Sequence, residues 1–143
     1  MQEDFFSGKC FLSSGFNNLT PRDALSEAVS KDALILDVRE PELIGAKRFD
    51  VPELIYLPFS RLNENISQVP ADRPVIVADS AGLKSHDAII MLIENGYKNI
   101  ANLAGGIIEW ERDGLPLSID KREQLSGSCA CQLKPRNRVR KKQ

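Results

Sequence analysis

The chain has 143 residues, 42% of them hydrophobic and 27% charged, the size and composition of one globular domain with little left over for a second, and not those of a disordered chain. Its net charge of −1 hides a split: Lys134, Arg136, Arg138, Arg140, Lys141 and Lys142 form a basic run free of acids, and removing those six leaves −7 for residues 1–133. Such an acidic body excludes a basic nucleic-acid-binding domain, while the tail keeps the capacity for weak polyanion contact.

The first helix is expected after Asn18-Leu19-Thr20-Pro21, where Thr20 can cap, Pro21 suits the first helical position and Asp23 favours the positive end of the dipole. Ala33 to Val38 is a short aliphatic run and reads as a buried strand, followed by a loop, Glu40-Pro41-Glu42, that opens a brief helical turn through Leu43, Ile44 and Ala46. Leu54 to Leu57 is a second strand stopped by Pro58, after which Ser60 is expected to cap a short helix through Leu62 and Ile66. Val75 to Ala78 is a third strand. A polar loop, Asp79 to Lys84, opens an amphipathic helix from Ser85 to about Asn95, with Gly96 as its left-handed terminator. Ile100 to Leu103 makes a fourth strand, and Gly105-Gly106 leads into a last helix whose Trp110 is expected in the core.

Strands alternating with helical connections predict an α/β fold, a mainly parallel central sheet with helices on both faces. Ligands of such sheets sit beyond the carboxyl ends of the strands. The loop Asp79-Ser80-Ala81-Gly82-Leu83-Lys84-Ser85 occupies that kind of place. Its amides and the helix start can cradle a small anion, with Lys84 adding charge; the plainer alternative is that Ser85 simply caps a helix after a tight loop.

Four stretches, in order, carry a resemblance to the rhodanese-like family. They are Asp37-Val38-Arg39-Glu40-Pro41-Glu42, Leu57-Pro58-Phe59-Ser60-Arg61-Leu62, the loop from Asp79 to Ser85, and Gly96-Tyr97-Lys98-Asn99-Ile100 with Leu103-Ala104-Gly105-Gly106-Ile107-Ile108-Glu109-Trp110. The likeness spans residues 17–118, leaving an N-terminal extension, 1–16, and a tail, 119–143. The resemblance implies a sulfur-transfer loop that begins with cysteine, has glycine three places on, and ends in a basic residue and a serine. Gly82, Lys84 and Ser85 fill the later places, but Asp79 stands where the cysteine belongs.

A carboxylate cannot hold a persulfide, so the resemblance implies inactivity through this loop. It also implies that Asp37 and Arg39 support the loop. The five places from Asp79 to Lys84 are one short of the loop of phosphatases of this fold, and His86 is expected at the surface. The family's Gly-His-Ile-Pro-Gly stretch is not recognisable between Ile44 and Leu54.

Cys10, Cys129 and Cys131 do not make a disulfide framework, the first residues do not read as a secretory signal, and no stretch approaches the roughly 20 apolar residues of a membrane span. A cytoplasmic location is therefore expected, with no membrane partner, no cofactor and no resident metal. The leading expectation is a binding or regulatory module linked to sulfur metabolism, meeting a protein partner or a sulfur acceptor. The alternative is a sulfane-sulfur transferase or carrier, or a soft-metal binder, that uses the Cys129 and Cys131 thiols.

Overall fold

Three short runs, each buried along its whole length, form the centre of the molecule, Leu34–Asp37 (β3), Val75–Ala78 (β6) and Ile100–Leu103 (β7), with the half-buried Leu54–Tyr56 (β5) beside them. Aliphatic side chains on both faces of a strand demand cover on both faces, which parallel sheets with crossover helices supply. The computed structural model describes residues 10–13, 15–30, 32–44, 47–82 and 84–119. In chain order its other elements are Phe11–Ser13 (β1), Phe16–Leu19 (β2), Pro21–Ser30 (α1), Pro41–Ile44 (α2), Lys47–Phe49 (β4), Phe59–Leu62 (α3), which runs on as a tighter 3-10 turn over Asn63–Gln68, Ser85–Glu94 (α4), Gly106–Arg112 (α5) and Leu117–Ile119 (β8).

The main sheet has the order β1-β2-β7-β6-β3-β5, parallel throughout except for the β1–β2 hairpin at one edge. Alternate residues of the central strands enter two cores. Ile35, Ile76, Ala101 and Leu103 pack with α1 and α5 around Trp110, and Leu36, Val75, Val77 and Ile100 pack with α3 and α4 around Leu62 and Leu92. Helices thus lie on both faces, as the alternating pattern predicts. Trp110 is fully buried, edge-on to Phe49 at 5.1 Å, and its indole N–H donates to the Pro116 carbonyl at 2.8 Å.

Local signals explain most boundaries. Thr20 Oγ1 accepts the Asp23 N–H at 3.2 Å, the cap expected for α1. Gly96, at φ +93°, ends α4: its N–H donates to Ile93 and that of Tyr97 to Leu92, a Schellman closure. One expectation is corrected. Ser60 does not cap α3, whose preceding residue is Pro58; its N–H and hydroxyl both donate to the Glu40 carboxylate at 2.8 Å, a tertiary partner that outcompetes the local one. The sheet also takes in Phe11–Ser13, part of the stretch set apart as an N-terminal extension, and β4 pairs with β8 in a separate two-stranded ribbon. Residues 120–143, including Cys129, Cys131 and the basic run, lie outside the described residues.

Candidate functional site

Strands β3 and β6 are neighbours in register, Asp37 opposite Ala78. Their carboxyl ends therefore deliver Asp37 and Asp79 to the same end of the sheet. The loop after β6 is pressed onto the start of α5: the Asp79 carbonyl accepts the Ile107 N–H at 2.9 Å and the Ser80 carbonyl accepts that of Ile108 at 3.1 Å. This contact needs Gly106. It sits at φ +62°, and a Cβ there would lie 2.5 Å from the Asp79 carbonyl oxygen. Gly82, at φ +88°, has the same role on the other side, since a Cβ would meet the Gly105 nitrogen at 2.8 Å.

The Asp79 side chain turns into the loop it begins and is 4% exposed. Its Oδ1 accepts the Gly82 N–H, and its Oδ2 accepts the Ser85 N–H at 3.1 Å. It thus caps α4 from six residues upstream. Lys84, the residue before the helix, makes no side-chain cap, and Ser85 is the first helical residue. The alternative in which Ser85 serves as the cap is therefore corrected. The Ser85 hydroxyl instead donates to Asn102 Oδ1, and Asn102 Nδ2 donates to Asn18 Oδ1 at 2.7 Å. Sequence reasoning missed Asn18 and Asn102. The one visible signal is at Asn102, an amide side chain inside an otherwise apolar strand, whereas Asn18 stands beside a second amide, Asn17, in β2.

Asp37 and Arg39 form a separate device. The guanidinium meets the carboxylate through Nε at 3.0 Å and Nη2 at 2.8 Å, both side chains being 2% exposed, and Nη2 also donates to the Lys47 carbonyl at 2.9 Å. Arg39 lies 5.7 Å from the centre of the Phe49 ring. The pair is tied to the strand that leads into the loop through its neighbour, since Val38 N–H donates to the Ala78 carbonyl at 2.9 Å. On the other side of Asp37, the half-exposed Tyr56 phenol has its pKa raised, first by burial and then by the Asp37 and Glu40 carboxylates.

A cleft of about 260 Å³ opens between these two devices. Val38, Phe59 and Ala81 give it apolar walls, and Arg39, Glu40, Asp79, Ser80 and Lys84 line the rest. Of the loop residues named from the sequence, Asp79, Ser80, Ala81 and Lys84 meet at this cleft, while Gly82 and Ser85 are buried beneath it. Leu83 lies outside the described residues. His86 is half-buried on α4, its ring 5.0 Å from that of Phe16. Among the described residues no group of three or more His, Cys, Asp or Glu could hold a metal ion, and no helix is long and apolar enough to cross a membrane.

The family model for the rhodanese-like domain matches residues 20–113. The chain belongs to the rhodanese-like family. It is 36% identical over 90 residues to a sulfurtransferase of Allochromatium vinosum, covering 63% of this chain and 82% of that protein. It is 31% identical over 102 residues to the thiosulfate sulfurtransferase GlpE of Actinobacillus succinogenes, covering 71% and 90% respectively. Among solved structures, a rhodanese-related protein from Thermoplasma volcanium superposes with a TM-score of 0.62 at 30% identity, over 72% of this chain and 98% of that one. The matched residues contain β3, β5, β6 and β7 of the sheet, the loop after β6 and the helix start that receives it.

Proposed function

We propose that this rhodanese-like domain is a non-catalytic binding or regulatory module of sulfur metabolism, in which Asp79 fills the cradle that a persulfide would otherwise occupy. One observation carries the reading: both Asp79 carboxylate oxygens are already taken by backbone N–H groups of their own loop. A carboxylate is a poor nucleophile toward sulfur, and a negative charge fixed at the cradle opposes an incoming anion such as thiosulfate. The names of the relatives, a sulfurtransferase and thiosulfate sulfurtransferases, support the link to sulfur chemistry. The cleft beside Asp79 is where a protein partner or sulfur acceptor would dock, and the sparse cysteines support a cytoplasmic setting.

The test is sulfur transfer from thiosulfate to cyanide by the wild type, by Asp79→Cys and by the double variant Cys129→Ser/Cys131→Ser. Turnover confined to Asp79→Cys is the expected result. Wild-type turnover that disappears in the double serine variant would overturn the reading and assign the chemistry to the tail thiols.

A further inference from the structure

Under the loop runs a chain of buried polar side chains that local sequence logic does not require. Ser85, Asn102 and Asn18 are all 3% exposed or less, and their hydrogen bonds join the start of α4 to β7 and to β2. The direction of this chain is fixed by chemistry. A backbone carbonyl only accepts, so the Asn18 group that meets the Phe16 carbonyl at 2.9 Å is its amide nitrogen. Asn18 therefore turns its oxygen to Asn102, which answers with its own nitrogen at 2.7 Å. That nitrogen also lies 3.5 Å from the Gly82 carbonyl, a second group that can only accept. The Asn102 oxygen is left facing Ser85, and the hydroxyl has to donate its single proton there.

We infer that Asn102 is a positioning residue that holds the Ser85 hydroxyl proton away from position 79. Among the described residues, the side chain at position 79 is then held by the backbone N–H groups of Gly82 and Ser85 alone. The cradle is a backbone device: its preference for a charged acceptor comes from oriented amides and a helix start, and no hydroxyl contributes to it. This concerns the same loop as the proposed function but is independent of turnover, because it is read from the ionisation of a thiol whether or not that thiol transfers sulfur.

The full chain carrying Asp79→Cys is alkylated with iodoacetamide across a pH series, and modification of the peptide containing position 79 is followed by mass spectrometry. A hydrogen bond donated to a thiolate lowers its midpoint by about one to two pH units. Adding Ser85→Ala should leave the midpoint unchanged to within about half a unit, whereas a larger rise would show that the hydroxyl serves position 79 and would overturn the inference. Adding Asn102→Ala instead releases the hydroxyl, and the midpoint should fall; an unchanged midpoint would remove Asn102 from the role. Should either variant not fold, the unsubstituted protein decides. The Ser85 hydroxyl proton, slowed in exchange by burial, should show cross-relaxation by NMR to the Asn102 side chain and none to the Asp79 methylene. The reverse pattern sinks the proposal.

Discussion

Two carboxylates end neighbouring strands of the same sheet, both almost fully buried, and they are neutralised in opposite ways. Asp37 faces a guanidinium that grips it through two nitrogens. Asp79 has no cation bonded to it among the described residues and rests on two backbone N–H groups. The difference lies in where the support is encoded. At Asp37 the backbone gives one bond, from the Arg39 N–H at 3.1 Å, and the opposing charge resides in one other side chain and vanishes if that side chain changes. At Asp79 the support resides in the path of the backbone, so the loop can accept a different residue at position 79 and keep its shape.

The contrast breaks most visibly at the first site. Arg39→Met leaves a buried carboxylate without its partner and should lower the unfolding free energy by about 3–5 kcal/mol in urea denaturation. Replacing both partners, Asp37→Leu with Arg39→Met, should recover a large part of that loss, since no charge then remains buried. If the double change were as damaging as the single one, the pair would owe its worth to shape and to the Lys47 carbonyl contact instead of to charge. Next in size is the surface on which the loop rests. Gly106→Ala puts a Cβ into the Asp79 carbonyl at a backbone angle L-residues avoid, and should cost about 2–3 kcal/mol. It should also abolish any turnover gained by Asp79→Cys, because the cradle itself moves.

Asp79 should be the mildest of the three. Asp79→Ala removes a remote helix cap and leaves the Gly82 and Ser85 N–H groups to water, a loss of about 0.5–2 kcal/mol, and Asp79→Asn should lose less because its oxygen still accepts. Thermal melts of the two variants beside Arg39→Met check the order. An Asp79→Ala loss as large as that of Arg39→Met would mean that the loop's path depends on the carboxylate, contrary to the comparison.

The sequence made some of this visible. The strand runs, the Thr20-Pro21 helix start and the Gly96 stop are local signals, settled within a few residues by capping and by glycine's conformational freedom, and they are where expected. So is Trp110. The partner of Ser60 is 20 residues away and that of the Ser85 hydroxyl 17 residues away. Each serine also sits at a helix start, where local reasoning assigns it a cap, and only the packed fold shows which acceptor wins. The three-residue strands β1, β4 and β8, unlike the equally short β5, are not part of a run of four apolar residues that would reveal them. Asp79 was legible as a residue at a strand end. That its carboxylate turns inward to cap α4, instead of facing the cleft as a free charge, depended on the φ of Gly82 and the register of the loop against α5.

The smallest expected effect sharpens the comparison furthest, because it asks whether the cradle outlasts its occupant. In Asp79→Ala the two amides and the α4 start are vacated, with Lys84 exposed at the cleft beside them. An inorganic anion should then bind where none is welcome in the wild type. Sulfate at about 50 mM should stabilise the variant by about 0.5–1 kcal/mol more than it stabilises the wild type, the excess expected of a site that half-fills at tens of millimolar. The comparison has to be made as a difference, because sulfate strengthens apolar burial in both proteins by exclusion from their surfaces. Adding Lys84→Ala should reduce that excess without removing it, since an exposed cation is screened while the amides are not. An excess that disappears entirely with Lys84 would mean that the backbone alone does not make the cradle, and the opposition between the two carboxylates would lose its basis.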